Sequence, residues 1–246
     1  MRRAALATFA LLAAAGLCAA GLRPVGEFSA LAPGDPLPAA WQLTSVSGIE
    51  RHTRYSLVRL DGRTVVRAEA QASMASLLRR VEIDPATHPW LRWHWRVDEL
   101  VAGGSLRSRD TDDFAARLYV MFDADLRSLP FLERTKLRIA RALYGDELPL
   151  AALCYVWSTD DPAGARAWSA YTDRVQLIVV ASGQHRLGEW TAFERNVADD
   201  YRAAFGGTPP RISAIAIASD SDNTGGRALA YFGDISFAGQ RVDAPR

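Results

Sequence analysis

Apolar side chains recur at every second position through most of this chain, and that alternation constrains its fold more than any other feature. Leu91, Trp93, Trp95 and Val97 alternate with Arg92, His94, Arg96 and Asp98. Period two is the repeat of a strand with one buried face. Phe114, Ala116, Leu118, Val120 and Phe122 alternate in the same way with Asp113, Ala115, Arg117, Tyr119 and Met121. Further runs of this kind fall at 55–60, 64–70, 76–83, 153–157, 175–180, 190–195, 212–218 and 228–237. Asp61-Gly62 reads as a tight hairpin turn between the first two of these. Helical patterning is confined to 131–144, closed by Gly145, and to 198–205, closed by Gly206. Glycine just past the last helical residue is a common stop. A parallel α/β sheet needs a helix at nearly every crossover. About ten strands served by two helices therefore predict an all-β fold: an antiparallel β-sandwich of jelly-roll type with one helical insertion.

The start of the chain points to export. Arg2 and Arg3 precede an uncharged run, 4–20, that closes on small residues, the layout of a secretory signal. Cleavage after Ala20 removes residues 1–20, and Cys18 with them, and leaves Cys154 as a lone cysteine. One cysteine forms no internal disulfide, so the mature chain holds its fold by core packing. Leu17 is the wrong neighbour for a lipid-modified Cys18. An uncleaved anchor is the other reading, because the uncharged run reaches Leu22 and approaches the ~20 residues of a spanning helix. The expected destination is the periplasm or the cell exterior. Pro24, Pro33, Pro36 and Pro38 mark 21–40 as a linker without regular structure, followed by a single domain over 41–240 with no transmembrane segment.

Charge excludes one class of partner. Lys and Arg number 29 against 28 Asp and Glu, a net of +1, and loss of Arg2 and Arg3 brings it to −1. A near-neutral chain is not built for general nucleic-acid binding. The catalytic signatures with a clear local pattern are also missing: there is no G-x-S-x-G, H-E-x-x-H, C-x-x-C, phosphate loop or G-x-G-x-x-G. His52, His88, His94 and His185 stand singly, without metal-ligand spacing. Cys154, between Leu153 and Tyr155, reads as a small buried hydrophobe.

The candidate ligand-binding residues are Arg96, Asp113, Arg117 and Trp157. Arg96 points away from the Trp93/Trp95 face, and Asp113 and Arg117 away from the Phe114/Leu118 face. If the two strands share a sheet, these charges meet across it and can hold sugar hydroxyls. The competing reading is an ion-pair network that braces one sheet face. Trp157 ends a strand beside the polar stretch 158–161 and offers a stacking surface for a sugar ring. The loop 220–226 gathers Asp220, Asp222 and Asn223 before two glycines, and such oxygen-rich turns can hold calcium. The EF-hand pattern fails, with Thr224 at an acidic position and Tyr231 at the closing one. These residues also suit an ordinary tight turn. Asp112/Asp113 and Asp199/Asp200 are sequence neighbours, so neither is a natural glycosidase dyad, and Asp199 suits a helix start. Arg134, Arg138 and Arg141 give the 131–144 helix a basic face that is solvated or lies on an anionic membrane.

The order of motifs is familiar. Trp93-His94-Trp95-Arg96-Val97 is followed by Asp112-Asp113-Phe114-Ala115-Ala116-Arg117-Leu118-Tyr119-Val120, then by Tyr155-Val156-Trp157 and Asp199-Asp200-Tyr201. Ser219-Asp220-Ser221-Asp222-Asn223-Thr224 and Tyr231-Phe232-Gly233-Asp234-Ile235 close the series. Across roughly 41–237 the chain resembles the bacterial domain-of-unknown-function family 3047. That resemblance implies an exported bacterial protein with no established activity. At fold level the strand order also resembles galactose-binding-like jelly rolls, the architecture of many carbohydrate-binding modules. The expectation is an exported, non-catalytic binding protein for a glycan or another cell-envelope component. Its rivals are a hydrolase of envelope polysaccharide, which needs two converging carboxylates, and a protein-interaction domain, which needs an exposed apolar patch.

Overall fold

Each of the ten period-two runs becomes a strand. The computed structural model describes residues 21–46, 48–123 and 151–241. The leader read over 1–20 and the helix read over 131–144 lie outside these described residues. In chain order the strands are β1 (Arg23–Gly26), β2 (Gln42–Thr44), β3 (Arg54–Leu60), β4 (Arg63–Gln71), β5 (Met74–Ile83), β6 (Trp90–Glu99) and β7 (Ala116–Phe122). They continue as β8 (Ala151–Ser158), β9 (Arg166–Ser169), β10 (Thr172–Ser182), β11 (Thr191–Asn196), β12 (Ile212–Asp220) and β13 (Arg227–Ala238). A helix, α1 (Val197–Phe205), follows β11. Among the described residues no helix is long and apolar enough to cross a membrane.

Two sheets form a jelly-roll-type sandwich. The first runs β11-β6-β13-β4-β3, with β1 also paired to β13, and the second runs β2-β5-β12-β7-β8-β10-β9. The turn read at Asp61-Gly62 joins β3 to β4 with both residues at positive φ, 49° and 81°, as the primed hairpin turns require. The alternation along β6 sends Leu91, Trp93, Trp95 and Val97 into the core. There Trp93 stacks on Tyr155 of β8 and on Phe193 of β11, each at 5.2 Å between ring centroids. Burying a large apolar side chain of this kind is worth about 1.5–3 kcal/mol, so the aromatic layer does much to hold the two sheets together.

Two expectations are corrected here. The sheets are not wholly antiparallel, because β10 pairs with β8 in parallel. A parallel neighbour needs a crossover of about a dozen residues, which the stretch 159–171 supplies with β9 inside it. Residues 21–40 are not an unstructured linker. β1 pairs with β13, Arg23 opposite Phe237 and Pro24 opposite Ser236. Val25 and Phe28 are buried, and the Phe28 ring lies 5.2 Å from Trp41. Prolines exclude a central strand but are compatible with a short edge strand, and β1 is one. α1 begins one residue earlier than read. Its cap is Asn196, whose Oδ1 accepts from the Ala198 and Asp199 N–H groups, and Gly206 ends it at φ 74°.

Candidate functional site

Arg96 and Arg117 do not share a sheet. β6 lies in the first sheet and β7 in the second, so their outward residues face opposite sides of the sandwich. The patch expected from Arg96, Asp113 and Arg117 together therefore splits into two places. Alternation gives each strand's outward face but not which sheet the strand joins.

Asp113 and Arg117 converge with the loop after β12. The buried Arg117 guanidinium donates from Nε to Asp220 Oδ1 at 2.9 Å and from Nη2 to Asp112 Oδ1 at 3.0 Å, and its Nη2 is 2.7 Å from Asp220 Oδ2. It lies 4.5 Å from the centroid of the Phe114 ring. Asp113 Oδ2 accepts from the Thr224 N–H and hydroxyl, both at 2.7 Å, and Oδ1 from Asn223. Oxygens of Asp113, Asp220 and Asp222 lie within 4.8 Å of one another. Asp222 Oδ1 is buried with no hydrogen-bond donor among the described residues. Burial pushes the Asp220 carboxyl up to about 7, against the pull of Arg117. Burial, then the charge of Asp113, raises Asp222 as well.

Of the residues read as calcium ligands, Asp220 and Asp222 meet, but Asn223 does not turn its oxygen to them. Its Nδ2 donates to Asp113, and its Oδ1 accepts from the Tyr171 hydroxyl at 2.7 Å. The third carboxylate is Asp113. Carboxylates do converge with raised members, as a hydrolase requires, but Asp113 and Asp220 are buried and their oxygens already accept hydrogen bonds. As they stand, a substrate oxygen has no access to them. Trp157 is no stacking surface: it is 1 % exposed, and its Nε1 donates to the Gly183 carbonyl. All of β8 is buried, so the neighbouring polar residues gave a false signal of exposure. Cys154 is a buried thiol pushed up to about 12 by burial.

Arg96 occupies the outer face of the first sheet. Its Nε donates to Asp98 Oδ1 at 2.6 Å and its Nη1 to Asp61 Oδ2 at 3.1 Å. Trp190 Nε1 donates to that same Asp61 oxygen at 3.0 Å. Tyr231 of β13 stands directly opposite Arg96. Asp61 belongs to the β3–β4 turn, yet reaches β6 over β13. It can because β4 pairs with β13 only as far as Val66, and β1 takes over that edge at Ile235, which frees the hairpin tip to curl over the face. On the same face His94 lies against Trp190, 5.2 Å between ring centroids. Burial holds the His94 imidazole below its usual range, opposed by Asp234. The result is a half-buried surface in which Trp190, Tyr231 and His94 alternate with ion pairs. Asp61, Trp190 and Tyr231 were missed from sequence; Asp61 carried only a turn signal, which masked its side chain's use.

The family model described as protein of unknown function, DUF3047, matches residues 39–236. The chain belongs to that family. No curated protein matches it. Solved structures match the chain at low similarity. The family 30 carbohydrate-binding module of a cellulosomal cellulase of Clostridium thermocellum is 10% identical at a TM-score of 0.43, over 90% of this chain and 99% of that one. The cellulose-induced protein Cip1 is 13% identical at 0.37, over 83% and 94%. The glycoside hydrolase domain of Endo-D from Streptococcus pneumoniae is 10% identical at 0.33, over 82% of this chain but 22% of that one. No ligand or activity passes to this DUF3047 member from likeness at that level.

Proposed function

We propose that the chain is an exported, non-catalytic binding protein whose ligand is a glycan or a component of the cell envelope, held on the outer face of the first sheet around Arg96. One observation carries this reading: Arg96, paired with Asp98 and Asp61, lies between Trp190 and Tyr231 with its side chain 20 % exposed. Fixed ion pairs present directed donors and acceptors to hydroxyls, and flanking rings offer faces on which a sugar packs. The leader read from sequence over 1–20 supports export, and the missing catalytic signatures support binding without turnover. The protein-interaction rival finds less support. The large apolar side chains exposed among the described residues are Leu22, Leu43, Val46, Trp168 and Tyr171, and they divide between opposite edges of the second sheet and the start of β1 instead of forming one patch.

The test is affinity electrophoresis of the purified protein against soluble polysaccharides and envelope fragments. The expected result is retardation by one class of glycan, weakened at least about tenfold in Arg96→Ala and in Trp190→Ala, as loss of a charge-assisted hydrogen bond or a ring contact implies. Binding that neither substitution weakens would overturn the site.

A hard cation, calcium, is proposed for the carboxylate cluster. Asp113, Asp220 and Asp222 would hold it, with Asp222 Oδ1 the oxygen still without a donor. Calcium takes about six to eight oxygens, so carbonyls and water would complete the shell. The expected outcome is a lower melting temperature in EDTA, restored by added calcium; an unchanged melting temperature in both would remove the ion from the account.

A further inference from the structure

A second polar cluster lies at the lateral end of the sandwich, where its sheets end at β9 and β11. These are the last strands of the two sheets on one side. α1 follows β11 and closes the gap between them, and Asp200 of α1 points into it. Asp200 is buried, its side chain 5 % exposed, and both its oxygens are saturated. Oδ1 accepts from Arg166 Nη2 of β9 at 2.7 Å and from Arg195 Nη2 of β11 at 2.5 Å. Oδ2 accepts from Arg195 Nε and from the Tyr155 hydroxyl, both at 2.9 Å. One carboxylate thus answers two guanidiniums, whose side chains each remain 35 % exposed. Among the described residues no other carboxylate pairs with either, and beyond Asp200 Arg166 Nη1 meets Gln176 Oε1 at 3.4 Å. A surplus positive charge and spare N–H donors are therefore held, preorganised, at an opening to solvent. Trp168 lies two residues beyond Arg166, on the same face of β9. It packs edge-on against Phe205 of α1 at 5.5 Å and stays 43 % exposed.

We infer that this gap is a binding site for one acidic sugar, a uronate unit, with its carboxylate on Arg166 and Arg195 and its ring against Trp168. Guanidinium forks match carboxylates in geometry and charge, and a sugar ring packs on an exposed indole. The network around Asp200 fixes both arginines before any ligand arrives, which lowers the ordering cost of binding. This inference rests on the glycan reading above and names the chemical class of one unit of that ligand.

The experiment is affinity electrophoresis of the purified protein in polygalacturonate and in the same polymer after its carboxyl groups are reduced to alcohols. The expected result is retardation by the polyuronate alone, weakened at least tenfold in Arg166→Gln and in Trp168→Ala. Trp168→Ala leaves every hydrogen bond to Asp200 in place, so it tests the site even where Arg166→Gln disturbs α1. Equal retardation by the reduced polymer, binding untouched by both substitutions, or no retardation by the polyuronate overturns the inference. The Arg96 reading fails separately: Arg96→Ala would then leave binding to every glycan unchanged.

Discussion

Gly233 is a glycine because of one neighbour. A Cβ added there would stand 1.9 Å from His94 Nε2, far inside any allowed contact, so the imidazole lies directly on the β13 backbone. That approach holds His94 in place against Trp190, within the face assigned to ligand binding. Gly233→Ala should destabilise the protein by about 1–3 kcal/mol through overpacking. The loss should shrink when His94→Ala is added, because the two residues share the contact. Urea unfolding of the two single variants and the double variant measures this, and simple additivity would show that the ring is not the obstacle. Alternation along β6 already showed that His94 points outward. That it needs a glycine opposite was not legible, because the partner lies on a strand far along the chain.

Local chemistry settles the elements and shows where they end. The Asp61-Gly62 turn, the strand cores and the Gly206 stop are set by residues in direct sequence contact, so they were read correctly. The α1 start was read at the wrong residue. Asp199 is an ordinary N-terminal acid, but Asn196 accepts the hydrogen bonds that cap the helix. Asn196→Ala should cost about 1 kcal/mol, read as a shift in the urea midpoint, whereas Asp199→Ala should cost less, because its carboxylate pairs with Arg202 on the surface. A larger loss from Asp199→Ala would reverse that assignment. The error over 21–40 has a related cause. Proline density reports the absence of backbone donors, and an edge strand such as β1 tolerates that absence.

At the scale of the whole molecule, Arg117 ties together segments far apart in the chain. It joins Asp112, ahead of β7, to Asp220, at the end of β12, while Asp113 clasps Asn223, 110 positions away. Removing one partner of a buried ion network strands the other charges without water. Arg117→Met should therefore cost about 3–5 kcal/mol, with part of it returned in Arg117→Met/Asp220→Leu. Equilibrium unfolding gives both values. A loss under about 1 kcal/mol would mean that the cluster behaves like an exposed pair. This role differs from the open, ligand-facing one that alternation predicts for Arg117 and Asp113.

The sequence alone determined ten of the thirteen strands, the jelly-roll class and the separation of apolar from polar faces, because period two, turn residues and helix stops act over a few residues. It also singled out Asp113, Arg117, Asp220 and Asp222, since charged residues amid apolar runs are visible in one dimension. The tertiary structure decided what they do. Sheet partnership sent Arg96 and Arg117 to opposite sides, buried Trp157, brought Asp61 over β13 and placed Arg166 and Arg195 around Asp200. Those outcomes depend on which strands pair and which edges a loop can cross. No local pattern carries that information, because the contacts that set it join residues far apart in the chain.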